Sequence, residues 1–208
     1  MVEKTMGIKP YFETKLGKLY CGGCLEIMPE LEPIDLVLTD PPYPNNANHF
    51  NKSIADARKL ISIITKPLMT FWTEVEIPKN KNPLIAVHIW HRSNTNRPDN
   101  YESIFYFNPD GKKRASRILS YPVVCVGLTG CVEATGHPTQ KKVGLIAELI
   151  KLSKIDGLIC DPFIGSGTTA IACERLNRKW IGIEKEEKYC EIAAKRIEQE
   201  TSQLKLFR

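Results

Sequence analysis

Asp40-Pro41-Pro42-Tyr43 places an acid, two rigid imide residues and an aromatic ring directly after an apolar run, Ile34 to Thr39. The run is rich in leucine and β-branched residues and reads as a buried parallel strand. Two prolines cannot extend a ladder, so the chain turns there. A carboxylate, backbone carbonyls and a ring are thereby held at the carboxyl end of a strand, the edge at which open α/β sheets bind ligands. The chemistry such a group suits is specific. The exocyclic amine of a nucleobase is a poor nucleophile, because its lone pair is delocalised into the ring. Acceptors on its two protons, here Asp40 and the Pro41 carbonyl, favour a pyramidal nitrogen with a usable lone pair. Tyr43 offers a face on which a base outside its helix can stack. An ordinary strand exit uses the same residues, so these four alone leave both readings open.

A second segment shifts the balance. Gly157 to Phe163 is another short apolar strand that ends in Asp161-Pro162, and it runs into Gly165-Ser166-Gly167-Thr168-Thr169-Ala170. That spacing fits the glycine turns of nucleotide-binding folds, in which the missing side chains let backbone approach a ligand. An amphipathic helix, Thr169 to Leu176, and a strand, Lys179 to Ile183, follow, and the strand ends in Glu184. An acid at that point can grip both ribose hydroxyls.

Taken together, these stretches resemble the S-adenosylmethionine-dependent amino-methyltransferases of DNA (N6-adenine/N4-cytosine type). The order is that of their circularly permuted, beta-class group, in which DPPY precedes DPFIGSGTT. The matching stretches are Leu19 to Glu26, Ile34 to Tyr43, His137 to Lys141 and Leu158 to Arg196. The resemblance implies one Rossmann-like α/β domain over residues 1–208, with a mostly parallel seven-stranded sheet containing an antiparallel strand. It implies that Asp40, Pro41, Pro42 and Tyr43 hold the target base. Asp161, Phe163, Gly165, Ser166, Gly167, Thr168, Thr169 and Glu184 would line the cofactor site, and His137, Pro138 and Thr139 would close over the methionine part of S-adenosylmethionine. Asp as the first clamp residue favours the adenine N6 amine, since relatives acting on the cytosine N4 amine more often carry Ser there. A non-catalytic nucleic-acid-binding protein with the same fold is the alternative from another class. Two positions depart from the pattern. Gly23 stands where the family has an Asp thought to contact the adenine of the cofactor, and Lys142 replaces a proline.

Composition agrees. A chain of 208 residues with 42% hydrophobic and 25% charged residues forms one soluble α/β core and hardly two. The charge of +5 suits a polyanion such as DNA without proving one. Residues 1–9 contain no signal-peptide core and no apolar run is long enough to span a bilayer, so the expected location is the cytosol of a prokaryote or a virus-infected host. Seven cysteines, several in apparent strands and helices, read as reduced thiols. Cys21-x-x-Cys24 has no second pair suited to zinc, and no metal is expected.

Strands are predicted at Gly17 to Cys21, Ile34 to Thr39, Leu84 to Trp90, Ile104 to Phe107 and Tyr121 to Val126, the last two as an antiparallel tail. Helices are predicted near Leu25 to Leu31, at Ala55 to Leu68, Lys142 to Lys154 and Lys188 to Glu200, with Thr201 to Arg208 frayed and the charged face of the last helix solvated. Three polar connections are candidates for DNA contact. Pro44 to Ser53 offers Asn45, Asn46, Asn48 and His49. His91 to Asn100 offers Arg92 and Arg97. Asp110 to Arg117 offers Lys112, Lys113 and Arg114. The target-recognition insertion, approximately residues 91–136, is short, which predicts a short or relaxed target, or a homodimer that shares recognition.

Overall fold

The computed structural model describes residues 8–42, 51–72, 77–95, 100–124 and 140–206. Among them, nine strands form one sheet. They are β1 (Phe12–Glu13), β2 (Gly17–Cys21), β3 (Leu36–Thr39), β4 (Leu68–Trp72), β5 (Leu84–Arg92), β6 (Tyr101–Phe107), β7 (Ile118–Tyr121), β8 (Ile159–Asp161) and β9 (Trp180–Glu184). Their order across the sheet is β1-β2-β9-β8-β3-β4-β6-β5-β7. Seven strands run one way, while β1 and β6 run against them. The expected seven-stranded sheet with one reversed strand is thus nine-stranded with two.

The alternation along β3 fixes the layers. Leu36 and Leu38 face one core with α3 (Val143–Ser153), α4 (Thr168–Leu176) and α5 (Glu187–Leu206). Val37 faces a second core, where α1 (Cys24–Ile27) and α2 (Asn51–Ile63) contribute Cys24, Ile27, Leu60 and Ile61. A parallel sheet covered on both faces needs this arrangement, because its strands are apolar throughout.

Three boundaries differ from the sequence reading. The helix expected to reach Leu68 ends at Ile63, and Leu68–Trp72 is instead the central strand β4, buried along its whole length. A continuous apolar run has no period to separate strand from helix. Pro67, just before it, is the local sign of the break. The expected antiparallel tail strand, Tyr121 to Val126, is β7, which ends at Tyr121 and pairs parallel with β5; residues 125 and 126 lie outside the described residues. The last helix does not fray at Thr201 but continues through Leu206.

His88 on β5 is buried, and neither ring nitrogen has a hydrogen-bond partner among the described residues. Burial lowers its pKa below the usual imidazole range; the Arg117 charge adds to this and Glu148 opposes it. A base held neutral in the fold and free to protonate when unfolded contributes stability above the unfolded pKa, about 6.5. That contribution is lost as pH falls through the folded pKa. Thermal melts from pH 7.5 to 5 are expected to lose less stability on acidification in His88→Leu than in the parent. Parallel curves would show that His88 does not titrate on unfolding. Taking the difference between the two proteins isolates His88 from buried acids such as Asp161, whose raised pKa acts with the opposite sign.

Among the described residues no helix is long and apolar enough to cross a membrane.

Candidate active site

The chain leaves β8 through α4 to reach β9 on one side, and leaves β3 through α2 to reach β4 on the other. The two crossovers lie on opposite faces of the sheet. β8 and β3 are neighbours, so the seam between their carboxyl ends is the point at which an open α/β sheet parts to form a crevice. Asp161 ends β8 there, and Asp40 directly follows β3. The Thr39 hydroxyl donates to Asp161 Oδ1 at 3.0 Å and closes the seam beneath the crevice.

Asp161 is fixed from all sides. Thr169 Oγ1 donates to its Oδ2 at 2.5 Å, and the Phe163 N–H donates to its Oδ1 at 3.1 Å. Burial pushes its carboxyl up to about 6, against the pull of these hydrogen bonds, and the nearby Asp40 charge adds a smaller push upward. The glycine turn follows. Gly165 and Gly167 have φ of 53° and 86°, the left-handed region that other residues rarely enter. A Cβ on Gly167 would also lie 3.1 Å from Ala193 Cβ of α5. The Gly165 N–H donates to Glu184 Oε2 at 3.1 Å, so the acid ending β9 also holds the turn. Its Oε1 accepts the Glu186 N–H at 2.8 Å. A carboxylate has about four acceptor positions, and two backbone donors leave capacity for a diol.

Arg196 is a residue that sequence reasoning missed. It lies on the face of the last helix expected to be solvated, yet its Nη1 donates to the Ser166 carbonyl at 2.5 Å and to Ser166 Oγ at 3.1 Å, pinning the glycine turn from outside. At Gly23 the Glu26 carboxylate stands 3.4 Å from where a Cβ would be, so this end of the site still carries an acid.

All of this opens into one cavity of about 700 Å³. Asp40, Pro41 and Pro42 line it together with Asp161, Phe163, Gly165, Ser166, Thr168, Thr169 and Glu184, while Gly167 packs against Ala193 of α5. The volume is that of a small-molecule site. Lys185, Glu186 and Tyr189 extend the Glu184 wall. The sequence reading stopped at the acid, although the chain just beyond it cannot leave the sheet edge before α5 begins.

Beside Asp40 lies a second group, the last residue of the His137 to Lys141 stretch, whose pairing with Asp40 the sequence did not disclose. Lys141 is buried, with Nζ 2.6 Å from Asp40 Oδ2 and 3.5 Å from Glu102 Oε1. Burial alone would lower its pKa, but the charges of Asp40 and Glu102 outweigh that and raise it, so it remains an ammonium.

The candidate DNA contacts separate. Arg92 ends β5 at the same sheet edge as the cavity and stands 5.3 Å over the Trp90 ring. Lys112, Lys113 and Arg114 follow the reversed strand β6, whose last residue pairs with Leu84 and Leu68 at the amino ends of β5 and β4. They therefore sit at the sheet edge opposite the cavity, which corrects their expected place beside the recognition region. Lys113 Nζ donates to the Leu84 carbonyl at 2.6 Å, and Arg114 pairs with Asp110 at 3.0 Å. Tyr43, Asn45, Asn46, Asn48, His49, Arg97, His137, Pro138 and Thr139 lie outside the described residues.

A family model described as DNA methylase (N6/N4 methyltransferase) matches residues 66–195, more than half of the chain. The chain belongs to the DNA methylase family. A Type II methyltransferase, M2.MboI of Moraxella bovis, is 30% identical over an alignment that covers 96% of this chain and 95% of that protein. Among solved structures, the M1.HpyAVI–SAM complex superposes with a TM-score of 0.64 at 26% identity, over 87% of this chain and 100% of that one. The PvuII DNA methyltransferase (cytosine-N4-specific) superposes with a TM-score of 0.67 at 18% identity, over 96% of both chains, and shows the shared fold.

The enzyme is thus a DNA amino-methyltransferase, and its cofactor is S-adenosylmethionine. The residues lining the cavity fit that cofactor: a carboxylate with acceptor capacity left at Glu184, a glycine without a side chain at Gly165, and an aromatic ring at Phe163.

Proposed function

We propose that this methylase modifies the N6 amine of adenine in a short DNA target, by direct transfer to a base rotated out of the helix. The observation that carries the reading is the shared cavity, in which the Asp40 acceptor and the glycine turn face one space across the β3–β8 seam. S-adenosylmethionine supplies a methyl group already activated by its sulfonium, so a covalent enzyme intermediate is unnecessary. The protein's part is alignment. Asp40 and the Pro41 carbonyl accept hydrogen bonds from the two amine N–H groups, Tyr43 stacks on the base, and His137, Pro138 and Thr139 cover the methionine end. Asp in the first clamp position supports adenine over cytosine.

Arg92, at the same sheet edge as the cavity, supports a phosphate contact, and Arg97, Asn45, Asn46 and His49 are the further DNA contacts of this reading. The recognition insertion of this single domain, approximately residues 91–136, is short. The alignment with M2.MboI runs over 270 positions against 208 residues here, so that relative carries stretches that this chain lacks. Fewer reading residues mean fewer discriminated base pairs, each worth about 1–3 kcal/mol. A short or relaxed target, or recognition shared by a homodimer, follows. The Type II name of that relative supports a role beside a restriction nuclease, in the cytosol where host DNA lies.

Transfer of labelled methyl to unmethylated genomic DNA, read by nucleoside mass spectrometry and by mapping the modified positions, tests this. N6-methyladenine at a short or degenerate motif is the expected product. N4-methylcytosine would keep the mechanism and overturn the base assignment. A long, strictly defined motif read by a monomer would overturn the account of recognition.

A further inference from the structure

Four side chains of alternating charge run from the cavity to the sheet edge. Asp40 meets Lys141 at 2.6 Å, Lys141 meets Glu102 Oε1 at 3.5 Å, and Glu102 Oε2 accepts from Arg92 Nη2 at 3.0 Å. The two inner groups are buried, with side-chain exposures of 8% for Lys141 and 2% for Glu102. Their burial has a structural cause. Glu102 is on β6 opposite Trp90 of β5, and Lys141 Nζ lies over the Phe71 ring at 4.8 Å and the Trp90 ring at 5.5 Å. Two aromatic faces and a second carboxylate therefore hold an ammonium that would otherwise be free to follow Asp40 on a flexible stem.

This matters for Asp40. With Oδ2 held by a fixed ammonium, the Asp40 carboxylate is restrained from swinging on its side chain. We propose that Glu102 is a positioning residue for methyl transfer, anchoring Lys141 from behind and thereby orienting the Asp40 carboxylate. The proposal rests on the reading that Asp40 accepts the target amine. Neither Glu102 nor its spacing belongs to any motif in the sequence, since β6 reads as an ordinary aromatic strand. Lys141 lines the cavity and Glu102 is not among its lining residues, so Glu102 acts through the lysine and not on the substrate.

The test is single-turnover transfer at saturating cofactor and DNA, with cofactor affinity and melting temperature measured beside it. Glu102→Gln keeps the shape and removes the charge. It is expected to slow transfer by about tenfold or more, with cofactor affinity changed far less. Glu102→Asp keeps the charge on a shorter stem and is expected to be the faster of the two. A packing role predicts the reverse order, because Asp leaves the larger gap. Transfer by folded Glu102→Gln at the parent rate, or that reversed order, would overturn the proposal. If Glu102→Gln does not fold, Lys141→Gln carries the test: lost transfer at saturating cofactor supports the chain of contacts, and parent-like transfer refutes it. Asp40→Asn separates the two levels. An active Asp40→Asn sinks the reading of Asp40 itself, whereas an inactive one beside a fully active Glu102→Gln sinks the role of Glu102 alone.

Discussion

Asp40→Asn is expected to lower the turnover number by about a hundred- to a thousandfold, the usual loss when a preorganised electrostatic group at the reacting centre is removed. Asparagine keeps the volume but changes both functions of the carboxylate. Its NH₂ turns a donor toward a site that needs an acceptor, and its neutral oxygen accepts more weakly than an ionised one. It also removes one partner of the buried Lys141 ammonium, which sits 2.6 Å from the Asp40 carboxylate. Breaking a buried pair from one side costs about 3–5 kcal/mol when nothing replaces the lost charge. Glu102 at 3.5 Å still faces the ammonium, so a lower melting temperature is expected rather than an unfolded protein. S-adenosylmethionine binding, measured by calorimetry, should persist, because Asp161, Glu184 and the glycine turn are fixed by contacts that do not pass through Asp40. Labelled-methyl transfer near the parent rate would show that the amine is held by something else.

Glu184→Gln has the second largest expected effect, and it falls on the cofactor. The Glu184 carboxylate accepts from Gly165 and Glu186 while facing the cavity. Burial raises its pKa, and the same backbone N–H groups pull it back toward the carboxylate form. A hydrogen bond to a charged group is worth about 1.5–3 kcal/mol, so weakening the proposed contact to the ribose is expected to lower S-adenosylmethionine affinity by at least tenfold. The amide can also turn its NH₂ toward Gly165 and loosen the turn. Titration calorimetry on the purified variant checks this, and transfer at saturating cofactor should recover in part. Unchanged affinity would mean that the ribose lies elsewhere in the cavity.

The glycine-turn half of the cavity was legible because its parts are local. A strand ending in Asp161, a glycine turn and a strand ending in Glu184 must come together once β8 and β9 pair through α4, since one short crossover connects them. Asp40 was legible for a related reason: an acid followed by two prolines can only sit at a strand exit. What the residues did not disclose is which strand stands beside which. β4 was read as the end of a helix because a strand buried on both faces shows no alternation. Lys112, Lys113 and Arg114 were placed near the recognition region by sequence distance, but the reversal of β6 carries them to the far edge of the sheet.

By itself the sequence determined the class of fold, the two strand-end acids and the turn that shape the cavity, and the chemistry their types allow. Those features rest on spacing within single crossovers, which the backbone cannot realise in many ways. Only the tertiary structure decided that the β3 and β8 ends share one seam, that Arg196 pins the glycine turn across 30 residues, and that Lys141 and Glu102, 39 residues apart, meet behind Asp40. The reason is physical. A buried charge is tolerable only where its partners converge from several elements, and that convergence is a property of packing, not of any one stretch of chain.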